Sequence, residues 1–248
     1  MENCLYINSK TNANIKFIRS LQQKKYRDLH DCFVVEGERF VFDAIKNGHK
    51  PKFIVATEKI DDINQQIYIV SNEIFSYISD TKSPQGILGV FNKKEYEFEE
   101  IDYKRLLYLD RVQNSDNVGA IIRSAVCAGY EGVILSDGCA DIYSNKAVRS
   151  SAGAVLSIKH YYDKDNVIID ELKGRGYKII GTHLMGSEEA DVSSYDKTVI
   201  ILGNEGSGMN DELTKKCDVL YKIKINGNCE SLNVACAATL MLYKSIGY

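Results

Sequence analysis

No apolar run in this chain approaches the roughly 20 residues that a membrane-spanning helix needs, so none reads as a transmembrane segment. The opening residues, MENCLYINSKTNANIK, hold no apolar core segment and are not expected to act as a secretory signal. Cysteine pairing is missing too. The seven cysteines, at 4, 32, 127, 139, 217, 229 and 236, are odd in number. They form no C-x-x-C pair and have no histidine nearby at metal-ligand spacing. The pattern argues against structural zinc and for reduced thiols in a cytoplasmic protein. A strong charge of either sign is absent: a net charge of −3 is no global sign of nucleic-acid binding. There is no internal repeat and no low-complexity tract. What is present is 44% hydrophobic residues over 248, ample for a packed core in one large domain or two modest ones.

One local stretch runs against the overall charge. Lys10 to Arg27 carries Lys10, Lys16, Arg19, Lys24, Lys25 and Arg27 and no acidic residue. Such a run is commonly a solvated helix face, and in some proteins a phosphate-binding stripe. Within it, Ile15, Ile18 and Leu21 recur at helical spacing over 12–24. Strands are predicted at 32–37, 52–56, 67–70 and 86–91, and helices at 39–46 and 72–78. This alternation describes a small α/β domain over 1–92. The charged segment 93–104 reads as a connection, and 105–248 as a second domain. There the pattern predicts strands at 106–110, 132–135, 177–182, 199–202 and 219–225, an extended segment at 156–160, and helices at 117–128, 144–151, 167–173 and 232–245. A short helix capped by Asn210 is also expected. Crossover helices between strands imply a mostly parallel sheet.

The most telling stretch is TVIILGNEGSGM, 198–209. An unbroken apolar run, Val199-Ile200-Ile201-Leu202, ends abruptly in Gly203-Asn204-Glu205-Gly206-Ser207-Gly208, as a strand buried on both faces would. Ligands in open α/β sheets bind beyond such strand ends, and glycines let backbone groups approach them closely. No Lys-Ser/Thr follows the last glycine, so this is not a Walker A loop, and the spacing is wrong for the dinucleotide fingerprint. Two further loops hold polar residues that burial alone does not explain. One contains Asn117 at a predicted helix start, with Arg123 six residues on. The other leads through Ser231 and Asn233 into the last helix. Taken singly, each has an ordinary use as a cap or a salt bridge.

Together, N-x-G-A-I-x-R-S-A at 117–125, I-L-G-N-E-G-S-G at 201–208 and S-L-N-V-A-x-A-A at 231–238 resemble the three motifs of the SpoU/TrmH family. These are RNA ribose 2′-O-methyltransferases of the SPOUT class. The first half, through FVVEGERFVFDAI at 33–45 and SPQGILGVF at 83–91, is similar to that family's L30e-like substrate-binding domain. The resemblance implies an α/β fold with a mostly parallel sheet and a C-terminal trefoil knot, preceded by the small α/β domain. It also implies bound S-adenosylmethionine, an RNA substrate (ribosomal ahead of transfer RNA) and a homodimer whose interface helps build the site. By the same resemblance, Gly203, Ile223 and Leu232 hold the cofactor largely through backbone groups. Thr182, His183, Leu202, Asn204, Gly206 and Ser231 complete that set. Asn117, Arg123, Glu205, Ser231 and Asn233 form the catalytic, polar site, and no metal is implied. Two rivals stand beside this reading: a catalytically silent knotted RNA-binding dimer, and a knotted base methyltransferase, for example one acting on guanine N1. The S-L-N signature favours ribose, and intact Arg123, Glu205 and Asn233 favour activity.

Overall fold

The structure is a computed structural model that describes residues 4–60, 64–94, 96–98, 101–165 and 167–248. The chain forms two compact units, 1–94 with 141–156, and 95–140 with 157–248.

The first unit opens with β1 (Cys4–Ile7), α1 (Ala13–Ser20) and α2 (Lys24–His30). The helical pattern over 12–24 is therefore split, between the αR cap at Leu21 and the extended Gln23, with neither Gly nor Pro to signal the break. There follow β2 (Cys32–Glu36), α3 (Glu38–Lys46), β3 (Pro51–Ala56), β4 (Ile67–Val70), α4 (Asn72–Ile78) and β5 (Ile87–Asn92). The sheet order is β1-β4-β3-β5-β2, with β5 antiparallel to both neighbours. Ile15, Ile18 and Leu21 are fully buried in its core with Val55, Phe75 and Leu88.

The second unit begins with β6 (Arg105–Leu109), α5 (Ser115–Cys127) and β7 (Gly132–Ser136). Its own core gathers Ile101 and Tyr108 with Ile179 and Ile201, and Phe98 packs against it. The predicted connection over 93–104 includes residues 95, 99 and 100, which lie outside the described residues. After Ala140 the chain contributes α6 (Asn145–Ser150) to the first unit. There Arg27, only 4% exposed, pairs with Asp141 Oδ2 through Nε at 2.8 Å and Nη2 at 2.7 Å, and donates from Nη1 to Leu21 O at 2.8 Å. A buried guanidinium needs such a partner. The basic run is accordingly not a uniform face: Lys10 pairs with Glu73, and Arg19 donates to Tyr77 O.

The chain then forms β8 (Lys159–Asp163), α7 (Ile168–Gly174), β9 (Lys178–Ser187), β10 (Thr198–Leu202), α8 (Asp211–Lys216), β11 (Val219–Tyr221) and α9 (Val234–Lys244). The sheet runs β11-β9-β10-β6-β7-β8, and every adjacent pair is parallel. All of β10 is buried, as its unbroken apolar run predicts. From β6 the chain steps outward to β7 and β8, then resumes on the other side of β6 with β9 and β10. The order thus reverses between β6 and β10, whose carboxyl ends open the crevice where ligands bind in such sheets.

Candidate active site

Two loops leave that crevice, 110–114 after β6 and 203–210 after β10. The second is folded tightly upon itself. Asn204 and Gly208 exchange both backbone hydrogen bonds at 3.0 Å. Asn204 Oδ1 accepts from the N–H groups of Gly206 and Ser207 at 2.9 and 3.0 Å. A Cβ on Gly203 would lie 2.2 Å from Met209 N, so only glycine permits this closure.

The loop after β6 holds it in place. Asp110, 2% exposed, accepts from Asn210 N at 2.7 Å and receives the fork of Arg111 at 2.9 and 3.0 Å. Arg111 sits in the left-handed region at φ 53°. Its carbonyl accepts from Asn204 Nδ2 at 2.7 Å, while its guanidinium donates to Gly208 O at 3.3 Å.

This bracing presents Glu205 to the start of α5. Oε1 accepts from Asn114 N and Asn117 Nδ2, both at 3.1 Å, and Oε2 from Gln113 N at 3.2 Å. Partial burial pushes the carboxyl up. The donors at Asn117, Glu205's own backbone, Asn114 and Gln113 together outweigh it and hold Glu205 below the ordinary 4.5. Asn233 Nδ2 in turn donates to Asn117 Oδ1 at 3.1 Å. Residues from a loop, the first turn of α5 and the cap of α9, far apart in sequence, thus join in one polar chain, Glu205–Asn117–Asn233.

The caps differ from the sequence expectation. Asn114, not Asn117, caps α5, with Oδ1 accepting from Asp116 N at 2.8 Å, which leaves the Asn117 side chain free to reach Glu205. Asn233, not Ser231, caps α9, because the helix starts only at Val234. Arg123 lies further along α5, exposed, and Ser231 is exposed in the loop before α9. Neither side chain has a hydrogen bond or ion pair among the described residues.

A cavity of about 440 Å³ borders the same loop. Its wall includes an arch in β9: Leu220 pairs with Gly181 but Tyr221 with Ser187, so 182–186 leave the ladder. Thr182, His183, Gly206, Ile223, Ser231 and Leu232 line the cavity. Leu202 is buried in β10, and Gly203 and Asn204 shape the loop without lining the space. Leu184, Met185, Tyr221 and Lys222, which lie outside the three motifs, also line it. In the sequence their one mark is the apolar pair Leu184–Met185 ahead of the polar stretch 187–191, and both are exposed in the structure. The size falls within the roughly 300–1,000 Å³ of small-molecule sites. Apolar walls with glycine backbone at one end suit the flat base and the methylene groups of S-adenosylmethionine. Among the described residues no group of His, Cys, Asp and Glu could hold a metal ion, and no helix is long and apolar enough to cross a membrane.

The chain is similar to known proteins over nearly its whole length. Residues 104–243 match the SpoU rRNA Methylase family, and residues 12–89 match the MRM3-like substrate binding domain. The chain is 33% identical over 243 residues to the Bacillus subtilis 23S rRNA (guanosine(2553)-2′-O)-methyltransferase RlmP, covering 96% of this chain and 97% of that protein. It is 28% identical over 236 residues to a 23S rRNA (uridine(2479)-2′-O)-methyltransferase of Streptomyces viridochromogenes, covering 86% and 82%. The AdoMet-bound rRNA methyltransferase of Sinorhizobium meliloti superposes with a TM-score of 0.89 at 31% identity, covering 98% of this chain and 97% of that one. The chain belongs to the SpoU rRNA methylase family.

Proposed function

We propose that this protein methylates a ribose 2′-hydroxyl in ribosomal RNA, with S-adenosylmethionine as donor. The observation that carries the reading is the adjacency of a cofactor-sized cavity and the Glu205–Asn117–Asn233 chain on one braced loop. Bound S-adenosylmethionine supplies a methyl group already activated on a sulfonium. What remains for the protein is alignment of the ribose oxygen, which can lower a barrier by roughly 7–11 kcal/mol. Glu205 fixes the Asn117 amide, Asn117 fixes Asn233, and the pair orients the ribose. Arg123 forks the neighbouring phosphate and polarises the hydroxyl, whose proton leaves late to water.

The protein acts as a homodimer. Two features support this: Arg123 stands unpaired on α5, and Leu240 is 52% exposed on α9, the helix that packs on α5 through Ser124–Thr239 at 2.7 Å. The first unit binds the RNA, through Lys16, Lys24 and Lys25. All seven cysteines are free, which suits a reducing cytoplasm.

Transfer of tritiated methyl onto ribosomal and transfer RNA separately tests the reading. Label in ribosomal RNA, protecting the adjacent phosphodiester from alkali, is the expected result. Label recovered in a base, or none in either RNA, would overturn it. Sedimentation should give a dimer. If Arg123 serves the partner's site, mixing the impaired Arg123→Ala and Glu205→Gln variants should give more activity than either variant alone.

A further inference from the structure

The cavity beside the Gly206–Gly208 loop has one lysine in its wall. Lys222 follows directly on β11, and its backbone N–H donates to Ser187 O at 3.2 Å, which fixes its strand against the far end of the β9 arch. The side chain is half-buried. Its ammonium forms no ion pair or hydrogen bond among the described residues. The other lining residues carry no fixed charge: they are apolar, hydroxyl-bearing or glycine, with His183 accepting at Nδ1 from Met185 N at 3.1 Å. An unpaired cation in a largely apolar wall favours an anionic group beside it.

The proposed methyl donor has a single anionic group, the carboxylate of its amino-acid arm, and two cationic ones, the ammonium and the sulfonium. A lysine repels the sulfonium and attracts the carboxylate. The anionic side chain of the neighbouring loop is Glu205, on the side of Asn117 and Asn233. The cavity wall thus carries a positive charge at Lys222, and the loop beside it a negative one at Glu205. Resting on the proposed function, we infer that Lys222 binds the carboxylate of the methyl donor and sets which way round it lies, with the sulfonium toward Glu205.

Calorimetric titration of the full chain with three ligands tests this. S-Adenosylmethionine and S-adenosylhomocysteine have the carboxylate; 5′-methylthioadenosine keeps the adenosine and thioether but lacks the amino-acid arm. Lys222→Gln should weaken the first two roughly tenfold or more, as loss of a charged hydrogen bond does, and leave methylthioadenosine unchanged. Lys222→Arg should restore most of the loss. Raising salt should weaken S-adenosylhomocysteine binding to the wild type more than to Lys222→Gln. Equal weakening of all three ligands would mean that Lys222 merely shapes the wall. Unchanged affinity for all three would mean that it faces solvent. Either result overturns the inference while the proposed function stands. A wild-type protein that binds none of the three would remove the proposed function and this inference with it.

Discussion

Glu205 is the residue on which the site turns, and its charge is set by donors. Four groups converge on its carboxylate and hold it below the ordinary 4.5. The sign follows directly. A carboxyl lowered on folding contributes stability above its ordinary value and loses it as pH falls through the lower, folded value. Across about pH 6 to 9 it stays ionised, so Glu205 shapes no limb of the rate profile there. Glu205→Gln should lower single-turnover methylation by roughly 10²-fold, because an amide NH₂ would face N–H donors and Asn117 would lose its anchor. The remaining activity should keep the wild-type pH profile; a limb that vanishes in the variant would show Glu205 titrating after all. Much of this chemistry was legible in the sequence, where Asn117, Glu205 and Asn233 stand in recognisable motifs. Their connection was not. A hydrogen bond between Asn117 and Asn233 joins residues over a hundred positions apart, and no local pattern encodes it.

Elements were readable in proportion to how local their causes are. β10 followed from four successive apolar residues, Val199–Leu202, and α8 from Asn210 with acids in its first turn and lysines in its last. The arch of β9 was hidden, because pairing of Tyr221 with Ser187 rather than with Thr182 depends on another strand. β11 stops at Tyr221 although apolar alternation continues to Ile225, and those later residues turn to the cavity instead. Gly203 shows the difference between a motif and its reason. Read as a cofactor contact, it is in the structure the point where the loop's own backbone passes within 2.2 Å of a Cβ. Gly203→Ala should therefore destabilise the protein by roughly 1–3 kcal/mol in urea unfolding, as overpacking does. An alanine variant of wild-type stability with weakened cofactor binding would return Gly203 to the ligand wall.

At the scale of the molecule, each unit closes its own sheet and core, and the first depends on chain that comes much later. Removing one member of the buried Arg27–Asp141 pair leaves the other uncompensated. Arg27→Met or Asp141→Leu alone should cost roughly 3–5 kcal/mol, and the two together much less. Chemical denaturation of the four proteins of this cycle gives the coupling; additive losses would mean that the pair is not a unit. The surface basic residues act differently. Reversing Lys16, Lys24 and Lys25 to Glu should weaken RNA binding and flatten its salt dependence without changing cofactor affinity. A wild-type salt slope would reduce them to an ordinary solvated face.

Residues 141–156 belong to the first unit, although the chain has by then laid down β6, α5 and β7 of the second. During synthesis, the N-terminal unit can therefore form its sheet early but cannot finish. Arg27 waits without a counter-charge until Asp141 has left the ribosome, some 114 residues later. The usual order, in which an N-terminal domain is complete before the next begins, is unavailable to this chain. A cut after residue 94 yields a fragment whose buried arginine has lost its carboxylate.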